Sequence, residues 1–199
     1  MNKSDKKLIQ AFENLTENKE LYDGIAKLQN DIAMYSDGKN KMIAITAPNN
    51  HLHSVLLAKS LATFFQNQDE KVLLLNMNMD ENLTEYDDLL DAKVVDLKNV
   101  SFEENGLTIH TLEKSNKSAE VLFSPLFKEY IEKANKTFDR IVIIVPPVNS
   151  HCDILAIKEY IDSSTVVAVK DETLLVDILK ANDFIKENNI PFKGITLLK

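Results

Sequence analysis

The chain has 199 residues, of which 44% are hydrophobic and 27% are charged, and its formal net charge is -8 at pH 7. This length and composition suit one globular domain with a full core. The negative charge argues against binding nucleic acid or an anionic membrane over a broad face, because both polyanions would repel the chain. We therefore expect no nucleic-acid partner and look to proteins instead.

The compartment follows from what the sequence lacks. Cys152 is the single cysteine, so there is no disulfide framework, and no basic segment joins an apolar core in the manner of a signal peptide. Apolar runs such as Ile141 to Val148 are far shorter than the about 20 residues that a membrane-spanning helix needs. We expect a cytoplasmic protein without direct membrane insertion, whose association with a membrane would require a partner.

The first 36 residues carry apolar side chains at helical spacing in two stretches, Asp5 to Leu15 and Glu20 to Tyr35. This pattern predicts two amphipathic helices. They would either pack on the rest of the chain or form a docking surface for another protein.

Residues 37–199 alternate short β-branched runs with longer segments of helical period, which predicts an α/β domain of three layers with a mostly parallel sheet. The predicted strands are Met42 to Ala47, Val72 to Asn76, Leu107 to Leu112, Arg140 to Val145, Thr165 to Val169 and Phe192 to Leu198. The predicted helices are Leu52 to Gln66, Ser118 to Lys136, Cys152 to Ile161 and Leu174 to Asn188, the second of them divided at Ser124 and Pro125. The acidic stretch from Asp80 to Glu104 is expected to be an excursion from the sheet edge.

Ligands of such folds bind beyond the carboxyl ends of the strands, so the loops after the strands matter most. The loop after the first strand runs from Thr46 to Val55 and reads Thr-Ala-Pro-Asn-Asn-His-Leu-His-Ser-Val. It lies where a phosphate-binding loop would be, yet it contains no glycine.

The surrounding sequence resembles the bacterial tyrosine kinases of capsule and exopolysaccharide systems, which are relatives of the MinD and ParA ATPases. That family reads Thr-Ser-x-x-Pro-Gly-x-Gly-Lys-Ser after its first strand, and Lys71-Val72-Leu73-Leu74-Leu75 continues the same register. The resemblance places His53 at the second glycine, Ser54 at the phosphate-binding lysine and Val55 at the magnesium-binding hydroxyl.

Two further motifs of the family are altered in the same direction. The resemblance places Asn76 and Asn78 at the two aspartates of Asp-x-Asp. Ile144 stands at the aspartate of the third motif, whose diproline is kept as Pro146-Pro147. The family also carries a Glu-x-x-Arg-x-x-Arg pattern associated with ring assembly, and this chain lacks both arginines there.

These losses are chemically consistent with one another. Glycine lets a loop turn successive N–H groups toward a phosphate, lysine supplies positive charge, and the hydroxyl and carboxylates hold Mg²⁺. Without lysine and metal, clustered carboxylates would repel one another in a desolvated cleft, so their replacement removes a cost. ATP and Mg²⁺ are the ligands that the resemblance implies, and we expect this chain to bind no cofactor and to lack catalytic residues.

Three functions follow as hypotheses. The first is a catalytically degenerate kinase-like protein that regulates or scaffolds polysaccharide assembly, with a membrane polysaccharide co-polymerase or an active kinase paralogue as its partner. The second is an active ATPase or tyrosine kinase with a remodelled loop, in which Lys59 or Lys170 replaces the missing charge. The third is a metal- or small-ligand-binding module at the vacated site, where His51, His53, His151 and Cys152 would converge.

Overall fold

The computed structural model describes residues 3–13, 19–34, 40–80, 89–100, 102 and 106–198. The predicted boundary between residues 36 and 37 lies outside them. Seven strands form one parallel sheet in the order β3-β4-β2-β5-β1-β6-β7. They are β1 Met42–Thr46, β2 Val72–Asn76, β3 Lys93–Val95, β4 Leu107–Leu112, β5 Arg140–Ile144, β6 Ser163–Val169 and β7 Gly194–Leu198. The predicted α/β fold with a parallel sheet is confirmed.

Six α-helices flank the sheet: α1 Lys3–Glu13, α2 Lys19–Met34, α3 His51–Gln66, α4 Ser118–Leu122, α5 Pro125–Thr137 and α6 Leu175–Glu187. The predicted division of the long middle segment is confirmed. The Ser124 side chain accepts a hydrogen bond from the Phe127 N–H, and Pro125 occupies the first turn of α5, where its missing N–H costs nothing.

The helices form a layer on each face of the sheet. On one face, Ile9 and Phe12 of α1 and Ile25 of α2 are buried in a cluster with α3, whose side chains are almost all buried. On the other face, α5 and α6 pack through residues such as Phe127, Ile131 and Ile185. Among the described residues, no helix combines the length and apolar character needed to span a membrane.

The helix predicted for Cys152 to Ile161 is wrong. Only Asp153–Ala156 form a short 3₁₀ helix, and turns follow. Ile154, Ile157 and Ile161 are buried, which explains the helical spacing. The backbone closes through i to i+3 bonds, such as those from Ile157 N to Ile154 O and from Tyr160 N to Ile157 O, so the α-helical ladder does not form.

The acidic stretch from Asp80 to Glu104 contains a strand that the sequence did not predict. β3 pairs with β4 at the sheet edge, and its first two residues are exposed. Three residues are too few to show an alternating pattern. Parts of this stretch, residues 81–88, 101 and 103–105, lie outside the described residues.

Candidate functional site

The vacated site lies where β1, β2, β5 and β6 end. β1 lies between β5 and β6, and β5 lies between β1 and β2, so the loops that follow these four strands share one edge of the sheet. The expectation that β1 and β5 are neighbours is confirmed by their parallel pairing from Met42 with Ile141 to Ile45 with Ile144. This is the edge at which ligands of open parallel sheets bind.

The loop after β1 is helical where a phosphate loop would be open. α3 begins at His51, so both residues at glycine positions, His51 and His53, lie in its first turn. A phosphate nest needs left-handed residues among right-handed ones, and none of residues 47–55 has a positive φ. The helix end is also capped within the chain, because Asn50 Oδ1 accepts a hydrogen bond from Leu52 N at 3.0 Å.

The residues at the lysine and hydroxyl positions of the family motif are fully buried in this helix. Ser54 Oγ donates to His51 O at 2.8 Å and lies 3.5 Å from His51 Nδ1. Ser54 and Val55 are both 0% exposed. Neither side chain points into a space that a phosphate or a metal ion could enter.

His53 lies at the end of the cleft nearest α1. Its Nε2 atom lies 3.2 Å from Asn50 Nδ2 and 3.6 Å from Glu172 Oε2, and the ring is 3% exposed. Burial lowers the pKa of His53, while the charge of Asp5 on α1 opposes that shift. The side chain is therefore neutral at pH 7, and it supplies no positive charge for a nucleotide.

The loop after β2 uses its two amides to close its own backbone. Asn76 Oδ1 accepts from Asn78 N, and Asn78 Oδ1 accepts from Asp80 N, each at 3.0 Å. Both asparagines are 0% exposed. Such turns are a common use of short amide side chains, and they direct the amide oxygens toward the backbone instead of an ion.

Lys114 also reaches this loop, although the sequence did not single it out. Its Nζ atom donates to Asn78 O at 3.2 Å. Lys114 lies two residues beyond the end of β4, so the rule that ligand sites lie past the carboxyl ends of strands could have identified it.

The loop after β5 is joined to the loop after β1 through the backbone. Val148 N donates to Ala47 O at 3.1 Å, and Asn149 N donates to Pro48 O at 3.2 Å. Thr46 Oγ1 donates to Pro146 O at 2.9 Å, which ties the retained diproline to β1. Ile144, at the aspartate position of the family motif, is 0% exposed and belongs to the core beneath.

The four residues named as possible metal ligands are engaged in different places. His51 contacts Ser54, His53 lies near Glu172, His151 Nε2 lies 3.6 Å from Asp80 Oδ2, and Cys152 is exposed. In the part of the chain that the structure describes, no three His, Cys, Asp or Glu side chains are grouped so that they could hold a metal ion.

Asp153 is a buried carboxyl group beside this loop. It is 8% exposed and accepts a hydrogen bond from Ser118 Oγ at 3.2 Å. Burial raises the pKa of Asp153, and the Ser118 hydrogen bond and the nearby His151 counteract part of the increase. A single buried carboxyl group with a raised pKa fits a structural hydrogen bond and does not replace the lost pair of acidic residues.

No family model matches the chain. A tyrosine-protein kinase ptk of Acinetobacter johnsonii is 25% identical to it over 81% of this chain and 24% of the kinase. The chain thus spans about a quarter of that relative's length.

Solved structures share the fold. The chimerical protein CapA2B2 superposes with a TM-score of 0.80 at 16% identity, covering 94% of this chain and 88% of that one. The kinase domain of the Escherichia coli tyrosine kinase ETK gives 0.75 at 15% identity, covering 87% and 73%. The MinD protein of Pyrococcus horikoshii in complex with Mg-ADP gives 0.55 at 12% identity, covering 78% and 68%.

The comparisons agree with the motifs in the sequence. The kinase domains share the arrangement of the sheet and helices, and the Acinetobacter enzyme adds a relationship in sequence. The chain is therefore related to the bacterial tyrosine kinases, within the broader fold of the MinD and ParA ATPases.

Proposed function

We propose that this chain is a catalytically degenerate relative of the bacterial tyrosine kinases and acts as a regulatory or scaffolding partner in polysaccharide assembly. The observation that carries the proposal is the start of α3 at His51. It puts both glycine positions of the phosphate loop into a right-handed helix whose first N–H groups are capped by Asn50. A loop in this state offers no cradle for a phosphate chain.

The positions that would handle the metal support the same proposal. Asn76 and Asn78 use their side-chain oxygens in local turns, and Ile144 replaces a carboxylate with a fully buried aliphatic side chain. Mg²⁺ prefers carboxylate, hydroxyl and water oxygens, and none of these three residues supplies a carboxylate. We propose that neither ATP nor Mg²⁺ is a ligand of this chain.

The lysines considered as replacements do not favour the alternative of an active enzyme. Lys59 Nζ donates to Leu89 O, on the outer side of α3, and Lys170 is exposed. The only arginine, Arg140, begins β5 and therefore lies at the opposite edge of the sheet from the site. A phosphoryl group in transfer needs positive charge close to its oxygens.

Calorimetric titration of ATP with Mg²⁺ into the purified chain tests the loss of nucleotide binding. We expect no binding tighter than about 1 mM, which corresponds to about -4 kcal/mol. Micromolar binding that disappears in an Asn50→Ala, His53→Ala double variant would overturn the proposal. Lys170→Ala would then show whether a remodelled loop had recruited that lysine, and Lys193→Ala would be its matched control.

The partner in this proposal is a membrane polysaccharide co-polymerase or an active kinase paralogue, met at the cytoplasmic face of the membrane. The relationship to tyrosine kinases is what suggests it. Deleting the gene should change the length distribution of the polymer, and a plasmid copy carrying Ser54→Ala should restore it, because a degenerate site has no use for that hydroxyl. Failure of the Ser54→Ala copy, with the protein folded and expressed, would argue for a working site.

A further inference from the structure

An apolar surface lies on the last strand and last helix of the fold, away from the vacated site. Large side chains there are strongly exposed: Leu175 at 69%, Val176 at 53%, Leu179 at 51%, Ile195 at 44% and Leu197 at 54%. We call these five residues the β7 strip. Single exposed apolar residues are ordinary, but a group of this kind on one edge usually marks a contact surface.

The backbone of the strip is open as well. β7 is the terminal strand of the sheet, and β6 is the strand that it pairs with in the described part of the chain. Lys170 N donates to Leu198 O, so Leu198 faces β6. Because successive residues of a strand alternate in direction, Ile195 and Leu197 point their N–H and C=O groups away from the sheet. Another strand can satisfy these groups.

The edge has none of the features with which proteins block such pairing. β7 reads Gly-Ile-Thr-Leu-Leu, without proline or a charged residue. Edge strands that must stay unpaired usually carry lysine, proline or a bulge.

The exposed side chains of β7 lie in the same layer as α6. Ile195 pairs with Val166 and Leu197 with Ala168, and paired residues of neighbouring strands have their side chains on the same face. Val166 belongs to the core cluster that includes Ala181 of α6. Leu175, Val176 and Leu179 of α6 therefore belong to the layer that covers this face of β7.

We propose that the β7 strip binds a second copy of this chain through antiparallel pairing of β7 with β7 across a two-fold axis. An axis normal to the sheet keeps both α6 helices in one layer, so the same operation pairs the two backbones and brings both sets of apolar side chains together. Two seven-stranded sheets would become one continuous sheet. A single extended peptide would pair with the backbone edge but would leave the exposed residues of α6 uncovered.

Charge favours the same occupant. Each copy carries a net charge of -8, so two copies repel each other over most of their surfaces. The five residues of the β7 strip are all uncharged, which makes this the edge at which two copies can approach with the least repulsion. The dimer goes beyond the proposed function and does not depend on whether ATP binds.

Sedimentation equilibrium of the 199-residue chain from about 1 to 500 µM tests the dimer, since small interfaces of this kind give weak affinities. We expect the average mass to rise from 22.5 kDa toward twice that value. Leu197→Lys on the strand and Leu175→Glu on the helix should each weaken the dimer at least tenfold. Val94→Lys is the matched control, because Val94 is 59% exposed on the edge strand at the other end of the sheet.

Hydrogen exchange provides the second readout. The amides of Ile195 and Leu197 should become protected as the concentration rises, and circular dichroism should show that all variants are folded, since the altered residues are exposed. A chain that stays monomeric over the whole range would overturn the proposal. So would a dimer that Val94→Lys weakens as much as Leu197→Lys does, or one that forms without protection of these two amides.

Discussion

Replacing the only arginine, Arg140, should destabilise the fold without affecting the vacated site. Arg140 Nε and Nη2 donate to the two carboxylate oxygens of Glu70 at 2.8 and 2.9 Å, and its Nη1 donates to Asn40 O. The guanidinium also lies over the Phe65 ring at 4.4 Å. The change to test is Arg140→Met, which keeps the aliphatic length and removes the charge.

The magnitude follows from burial. The Arg140 and Glu70 side chains are 20% and 22% exposed. Exposed ion pairs contribute about 0.2–1 kcal/mol, whereas breaking a fully buried pair costs about 3–5 kcal/mol. A mostly buried bidentate pair lies between these values, at about 2 kcal/mol, and the contact with Phe65 adds about 1 kcal/mol. The expected loss is about 3 kcal/mol.

Urea unfolding measures this loss. With a slope of about 2.5 kcal/mol per molar urea, the midpoint should fall by about 1 M. Lys117→Met is the matched control, because the Lys117–Glu120 pair at 3.2 Å is 65% and 70% exposed and should contribute less than about 0.5 kcal/mol. Equal midpoint shifts in the two variants, or a shift below about 0.3 M for Arg140→Met, would refute the reasoning from burial.

Two further predictions concern the vacated site. Ile144→Asp restores the family's carboxylate but places it at a position that is 0% exposed, so it should cost at least about 3 kcal/mol in urea unfolding and should not restore nucleotide binding; a stable variant that binds ATP would contradict this. His53 has a pKa that burial lowers below its ordinary value of 6.5, so on acidification the unfolded state takes up its proton first, and stability should fall as the pH drops below about 6.5. His53→Gln should flatten that part of the curve measured by urea unfolding between pH 7 and 5, and an unchanged slope would show that His53 is not responsible.

Several elements could be read from the sequence because their signals are local. β2 and β4 have their predicted limits, since unbroken β-branched and leucine runs are typical of strands that are buried on both faces. The division at Ser124 and Pro125 was likewise visible, because a cap and a proline in the first turn act through their immediate neighbours.

The segment after β5 could not be read in this way. Its isoleucines have helical spacing, yet the short connection between β5 and β6 closes with 3₁₀ turns. Spacing reports which side chains are buried, and both kinds of helix bury residues three apart. β3 was missed because its pairing with β4, and not its composition, makes it a strand.

At the candidate site, the sequence by itself showed that the glycines, the lysine and the carboxylates of the family are replaced. Only the tertiary structure decided what the replacements do. The start of α3 at His51, the turns closed by Asn76 and Asn78 and the contact of Lys114 with Asn78 depend on which loops meet at the sheet edge. Residue identity limits which interactions are available, whereas strand order determines which of them form.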